Sequence, residues 1–135
     1  MFKPGLPILL ALLLALTACG SGTPAGYTTQ QQTVDGLSIT VERPEQAELL
    51  KSYDLFVMLK DASGKPVDDA TVFMEVSMPT MPMGADQPIG EKLGNGRYRA
   101  KIAFMMEGDW QGVVHATVGG KEYTAKFDQP VTPQK

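Results

Sequence analysis

Apolar and polar residues alternate with period two through nearly all of this chain beyond residue 36. A segment patterned in that way buries one face only when it pairs into antiparallel sheet. Leu37, Ile39 and Val41 alternate with Ser38, Thr40 and Glu42; Ala70, Val72, Met74, Val76 and Met78 alternate with Thr71, Phe73, Glu75 and Ser77. The same alternation puts Tyr98, Ala100, Ile102 and Phe104 on one face, then Trp110, Gly112, Val114, Ala116 and Val118, then Tyr123, Ala125 and Phe127. Tyr53 to Lys60 is apolar at nearly every position, as a central strand is. Turn residues separate these runs: Asp61-Ala62-Ser63-Gly64-Lys65-Pro66, Gly94-Asn95-Gly96, Glu107-Gly108-Asp109 and Gly119-Gly120.

Gly119-Gly120 has the length of a two-residue hairpin loop, and it sets Ala116 opposite Tyr123, Val114 opposite Ala125 and Gly112 opposite Phe127. All six residues belong to the inward sets, so register and alternation agree. The expected strands are A (37–42), B (53–60), C (70–78), a short C′ (89–93), E (97–104), F (110–118) and G (121–127). The one helical expectation is a short piece from Glu45 to Leu50. The fold class that follows is all-β: a single immunoglobulin-like antiparallel β-sandwich of about seven strands over residues 36–131.

The first 35 residues read differently. Lys3 precedes an apolar run from Leu6 to Leu16, too short to span a bilayer and suited to a secretory leader. Leu16-Thr17-Ala18-Cys19 resembles a bacterial lipobox, which implies cleavage before Cys19 and lipid on its sulfur. Residues 1–18 are therefore expected to be a lipoprotein signal peptide, and 19–35 a lipidated flexible tether rich in Gly, Ser, Thr and Gln. A flexible tether of roughly 15 residues has a reach of about 20 Å. Localisation in the cell envelope, on the extracytoplasmic side of a membrane, follows from that reading.

Lipidation takes the only cysteine out of disulfide, nucleophilic and metal chemistry. Without the leader, 11 basic residues face 15 acidic ones, a net charge of −4 that offers no footprint for nucleic acid. One histidine, no free thiol and no phosphate-binding glycine loop argue against an enzyme. Asp68-Asp69 and the Glu107/Asp109 pair fall in turns, where carboxylates are ordinarily solvated.

Ser77-Met78-Pro79-Thr80-Met81-Pro82-Met83-Gly84 is the chemically distinctive stretch. Thioether sulfur is soft, and its inorganic partner is cuprous copper. Threading the strands as a sandwich brings Met78, Met81 and Met83 to the same pole as Met105 and Met106, beside Trp110. Two readings stand: a Cu(I) site with Met81 and Met83 as primary ligands, completed by Met78 and one of Met105 and Met106, or an apolar plug or contact surface. Met58 and Met74 are expected in the core, and Trp110 is expected to anchor it. A third use of the methionines, as sacrificial oxidation targets, needs no fixed geometry. His115 lies about 17 Å along its strand from Trp110 and on the opposite face, which separates it from the methionines. It is expected to be a solvated strand residue, or else part of an outer contact face with Phe73 and Val113.

These segments, with Gly96-Arg97-Tyr98-Arg99-Ala100-Lys101 and Phe104-Met105-Met106-Glu107-Gly108-Asp109-Trp110, resemble the YtkA-like/FixH-like group of extracytoplasmic bacterial domains. The resemblance spans about Gly36 to Phe127. It implies an immunoglobulin-like fold and a loose association with copper handling or respiratory-oxidase assembly. The family pattern places a histidine shortly after the Met-Pro-Met segment, whereas Gly84-Ala85-Asp86-Gln87-Pro88 has none. The expected function is a membrane-tethered binding module that carries Cu(I) in contact with a copper-handling or membrane protein. The alternative is a metal-free assembly module using the same methionine-lined pole.

Overall fold

The computed structural model describes residues 23–134, the side chains of 82–84 excepted; the leader, Cys19 and Lys135 lie outside the described residues. Among the described residues ten strands form two five-stranded sheets. One sheet has the order β1 (Tyr27–Val34), β2 (Leu37–Pro44), β4 (Ser52–Lys60), β8 (Arg97–Ala103), β7 (Glu91–Gly94). The other runs β3 (Ala47–Glu48), β10 (Lys121–Thr132), β9 (Gly108–Val118), β5 (Thr71–Met78), β6 (Met81–Asp86). This is the expected immunoglobulin-like sandwich, and the β9–β10 hairpin has the expected register at all three pairs. Gly119 and Gly120 both take positive φ, as the tight turn requires.

The inward alternation supplies the core. Ile39, Leu55, Val57, Leu59, Val72, Met74, Val76, Tyr98, Phe104, Val114 and Phe127 are buried together, and Trp110 packs half-buried at the margin. Tyr98 ties β8 to the connection that leads from β4 into β5. Its hydroxyl donates to the Val67 carbonyl at 2.8 Å and accepts the Ala70 N–H at 3.2 Å. Burial pushes its phenol above the ordinary tyrosine range. The neutral form belongs to the folded state, so this contribution is intact below about pH 10 and lost as pH climbs from there through the raised folded value. Tyr98→Phe is expected to lower stability by about 1–2 kcal/mol in urea unfolding near neutral pH, and to remove part of the alkaline loss.

Four expectations need correction. Residues 27–34, read as tether, form β1 along the full length of β2, closed by an Asp35-Gly36 turn with positive φ at both positions. The Gln30 side-chain carbonyl accepts from Arg43 Nε and from the Asp128 N–H, and that of Gln32 accepts from the Lys126 N–H. The glutamines thereby cover the open edge of β10. Glu45–Leu50 is not a helix: the chain leaves the first sheet after Pro44, and β3 pairs in parallel with β10. Proline at that corner cannot continue the ladder.

The short strand expected at 89–93 is present as β7, and the third correction is a strand not expected beside β5. Residues 91–94 pair with β8 in the first sheet, while the strand beside β5 is Met81–Asp86. The chain crosses between sheets at Ile89, which still bridges Phe73. The fourth is Met58, which stands half-buried on the outer face, because Leu55, Val57 and Leu59 take the inward parity of β4. That outer face carries its own cover. Arg97 lies over the Phe56 ring, 4.3 Å from its centroid, and its guanidinium meets the nearly buried Glu42 carboxylate at 3.1 and 3.4 Å.

Candidate functional site: the methionine pole

The ends of β5, β8 and β10 and the starts of β4, β6 and β9 meet at one pole of the sandwich. Met78 and Met81 are direct cross-strand partners there, joined by the two-residue turn Pro79-Thr80. The proline-rich segment is thus a hairpin and not a free loop. Its second arm is a sheet edge, where Pro82 leaves no ladder bond broken toward a further strand. Residues 82–85 stand opposite Ser77 alone, so β6 bulges just past Met81. Met83 sits on that bulge, its side chain outside the described residues.

Met78 is half-buried and crosses onto Gly108: a β-carbon at residue 108 would lie 2.6 Å from the Met78 terminal methyl. Glycine here lets the thioether lie against the backbone. Met81 is 40% exposed beside it. Met106 is half-buried, and its carbonyl accepts the Trp110 indole N–H at 2.9 Å. The indole meets Phe104 edge-on with ring centroids 5.4 Å apart, so Trp110 fixes the β8–β9 loop to the core.

Met78 and Met105 share the pole without sharing one cavity. Met78 lines a cleft of about 570 Å³ with Thr80, Asp109, Trp110 and Asp128. Met105, 67% exposed, lines a separate groove with Asp86, Pro88 and Lys101. The described geometry thus pairs Met78 with Met81 and sets Met105 in a different groove.

Two residues of the pole carry no sequence signal. Leu50 holds φ at +65°, donates its N–H to the Phe104 carbonyl at 2.9 Å, and leaves its side chain 57% exposed. A bulky residue in that region is a conformational outlier. Gln129, fully buried, donates through its amide to the carbonyls of Pro44 and Pro130 and so clamps the corner between β2 and β3.

His115 is on the outer face, as its parity requires, but it is not solvated. Its side chain is 15% exposed, stacked parallel on Phe73 at 4.5 Å, with Nδ1 2.9 Å from Glu122 and Nε2 3.6 Å from Glu75. Val113, half-buried, follows the same outward parity on β9. The two ring nitrogens of His115 face different carboxylates, which makes a clamp and not a chelate. Among the described residues no group of three His, Cys, Asp or Glu side chains is arranged for a metal ion.

Comparison with known proteins adds two kinds of finding. The family model described as YtkA-like matches residues 31–115. No curated protein matches. Among solved structures, the PmoD soluble domain from Methylocystis sp. ATCC 49242 (Rockwell) aligns with TM-score 0.50 and 16% identity over 76% of this chain and 96% of that one. The Lin-41 filamin domain aligns with TM-score 0.51 and 14% identity over 82% of this chain and 98% of its own. The endo-β-1,4-mannanase from Thermotoga petrophila aligns with TM-score 0.51 and 14% identity over 78% of this chain, which spans only 20% of that enzyme. At these identities the likeness is one of fold.

Proposed function

The chain belongs to the YtkA-like family, and from that premise we propose an extracytoplasmic module, lipid-anchored at Cys19, that binds Cu(I) at its methionine pole and passes it to a copper-handling or membrane partner. The observation that carries this reading is the pairing of Met78 with Met81 across a two-residue turn. Neutral thioethers are a soft donor set suited to Cu(I). They release no proton on binding, so affinity holds in acid where imidazole or thiolate sites weaken. The family resemblance adds the link to copper handling and to respiratory-oxidase assembly. A second reading, a metal-free contact module, draws on the exposure of Leu50, Met81 and Met105 at the same pole.

Competition titration of Cu(I) against a chromophoric chelator separates the two. Every described strand lies between Tyr27 and Thr132, so a chain beginning at Gly20 keeps the whole domain. One-to-one binding is expected, unchanged between about pH 5 and pH 7.5. Met81→Leu/Met83→Leu is expected to weaken it by more than about tenfold, and adding Met78→Leu to abolish it. Absence of binding in the parent ends the copper reading and leaves the contact module.

A further inference from the structure

We propose that the methionine pole is the membrane-facing end of the domain, with Leu50, Met81 and Met105 seated against the bilayer that holds Cys19. The inference rests on the reading of Cys19 as an anchor and adds the direction in which the domain hangs from it.

The chain enters the sandwich at this pole. The Glu45 N–H bonds the Gly26 carbonyl, Tyr27 pairs with Pro44, and the Tyr27 hydroxyl reaches the Asp54 carbonyl near the start of β4. Only seven residues lie between Cys19 and Tyr27, eight Cα-to-Cα steps that span at most roughly 28 Å whatever their path. A turn at Pro24, whose carbonyl accepts the Tyr27 N–H, shortens that further. The opposite pole, at Gly119-Gly120, lies about 37 Å away along the 11 residues of β9. It meets the same surface only if the whole domain doubles back beside its own link.

The pole is also dressed for such a contact. Of the five large apolar residues exposed among the described residues, Leu50, Met81 and Met105 are at this end. Leu50 is displayed there from a left-handed backbone that a leucine rarely adopts. The flanking charges select the kind of surface. Lys51 is tied to Glu48 and Lys101 lines the Met105 groove, while Glu45, Glu107, Asp109 and Asp128 are exposed, so carboxylates predominate on the rim. Such a rim suits zwitterionic headgroups and is repelled by anionic ones.

Trp110, the sole tryptophan, stands at this pole and supplies the probe. A chain starting at Cys19 is coupled through that thiol to maleimide lipid in phosphatidylcholine vesicles carrying a dansyl lipid, with no copper present. Energy transfer from Trp110 is expected to exceed by about twofold or more that from a Trp110→Phe/Lys121→Trp variant, whose donor sits at the far turn. Leu50→Asn/Met105→Gln is expected to shrink the difference, as is exchange of some phosphatidylcholine for an anionic lipid at low salt. Equal transfer from the two positions, or more from residue 121, overturns the proposal. Amide exchange on the unaltered coupled chain tests the same orientation without a tryptophan variant: slowing is expected at Leu50–Lys51 and Met105–Glu107, and uniform exchange at both poles overturns it. Chemical coupling keeps this outcome separate from whether cells lipidate Cys19, which the mass of the membrane-extracted chain decides.

Discussion

Thermal unfolding of a Gly112→Ala variant is expected to occur on the order of 15 °C below the parent, a loss of about 3 kcal/mol. Gly112 is directly opposite Phe127, and a β-carbon at residue 112 would lie 2.0 Å from Cζ and 2.2 Å from Cε1 of that ring. The ring is itself buried among the core side chains, so it cannot swing aside into solvent. Overpacking therefore spreads into β9, the strand that pairs with both β10 and β5. Relief is specific. Phe127→Leu in the Gly112→Ala background is expected to recover part of the loss, although Phe127→Leu alone is destabilising. A double-variant cycle in urea measures that coupling, and additive losses would show that the contact is not what glycine is there to permit.

Arg97→Ala is expected to cost about 3–5 kcal/mol, much more than a surface ion pair is worth. The Glu42 side chain is 9% exposed, so removing its partner strands a carboxylate that water reaches poorly. The guanidinium also covers Phe56, and the Phe56 ring lies within 6.4 Å of Tyr27 on the first strand. Arg97→Lys keeps the charge but loses the two-point contact and the flat stacking surface, so an intermediate loss of about 1–2 kcal/mol is expected. Glu42→Ala/Arg97→Ala is expected to lose less than the sum of its parts. Denaturant unfolding at low and high salt provides the check, and burial predicts little salt dependence of the Arg97→Ala loss.

The parts of the fold that are plain in the sequence are those where side-chain alternation reports burial directly. From Leu37 onward the inward set can be read off β2, β5, β8, β9 and β10, and the β9–β10 register follows from two glycines. The convergence of the methionine-bearing segments on one pole follows from strand order as well. What escapes is decided by partners distant in sequence. Thr28 to Thr33 is uniformly polar, and its strand state depends on β2 beside it and on β10 amides nearly a hundred residues away. Val34-Asp35-Gly36-Leu37 does carry a hairpin signal, weakened by the glutamine run before it. Pro79 and Pro82 suggest a loop because prolines break ladders, yet a turn and a sheet edge accommodate both.

The candidate site shows the same division. That sulfur gathers at one pole is visible in the chain, but that Met105 lines a different groove from Met78 is not, since the alternation ends at Phe104. Met58 is ambiguous in sequence because an all-apolar strand conceals its own parity, and the cover for its face comes from Arg97 on a neighbour. His115 is legible in direction and not in environment. Its parity points outward, but only the cross-strand Phe73 and the flanking Glu75 and Glu122 make the outer surface enclose it.

The glutamine seam between β1 and β10 has a bearing on how the molecule comes into being. Its hydrogen bonds join residues 94 and 98 positions apart, and β3 pairs with the last residues of the same strand. Such closure leaves the seam beside β1 unmade until β10 is in place, although β1 pairs locally with β2. Loop-closure entropy is then met late and all at once, which places refolding in the millisecond-to-second range of non-local β-sandwiches. Until residues 121–132 are available, β9 and β3 each lack a neighbour and the glutamines lack their β10 amides. A chain stopped short of β10 is accordingly a different object from a shortened domain: an open half-sandwich with two unguarded edges, ready to pair with its own kind.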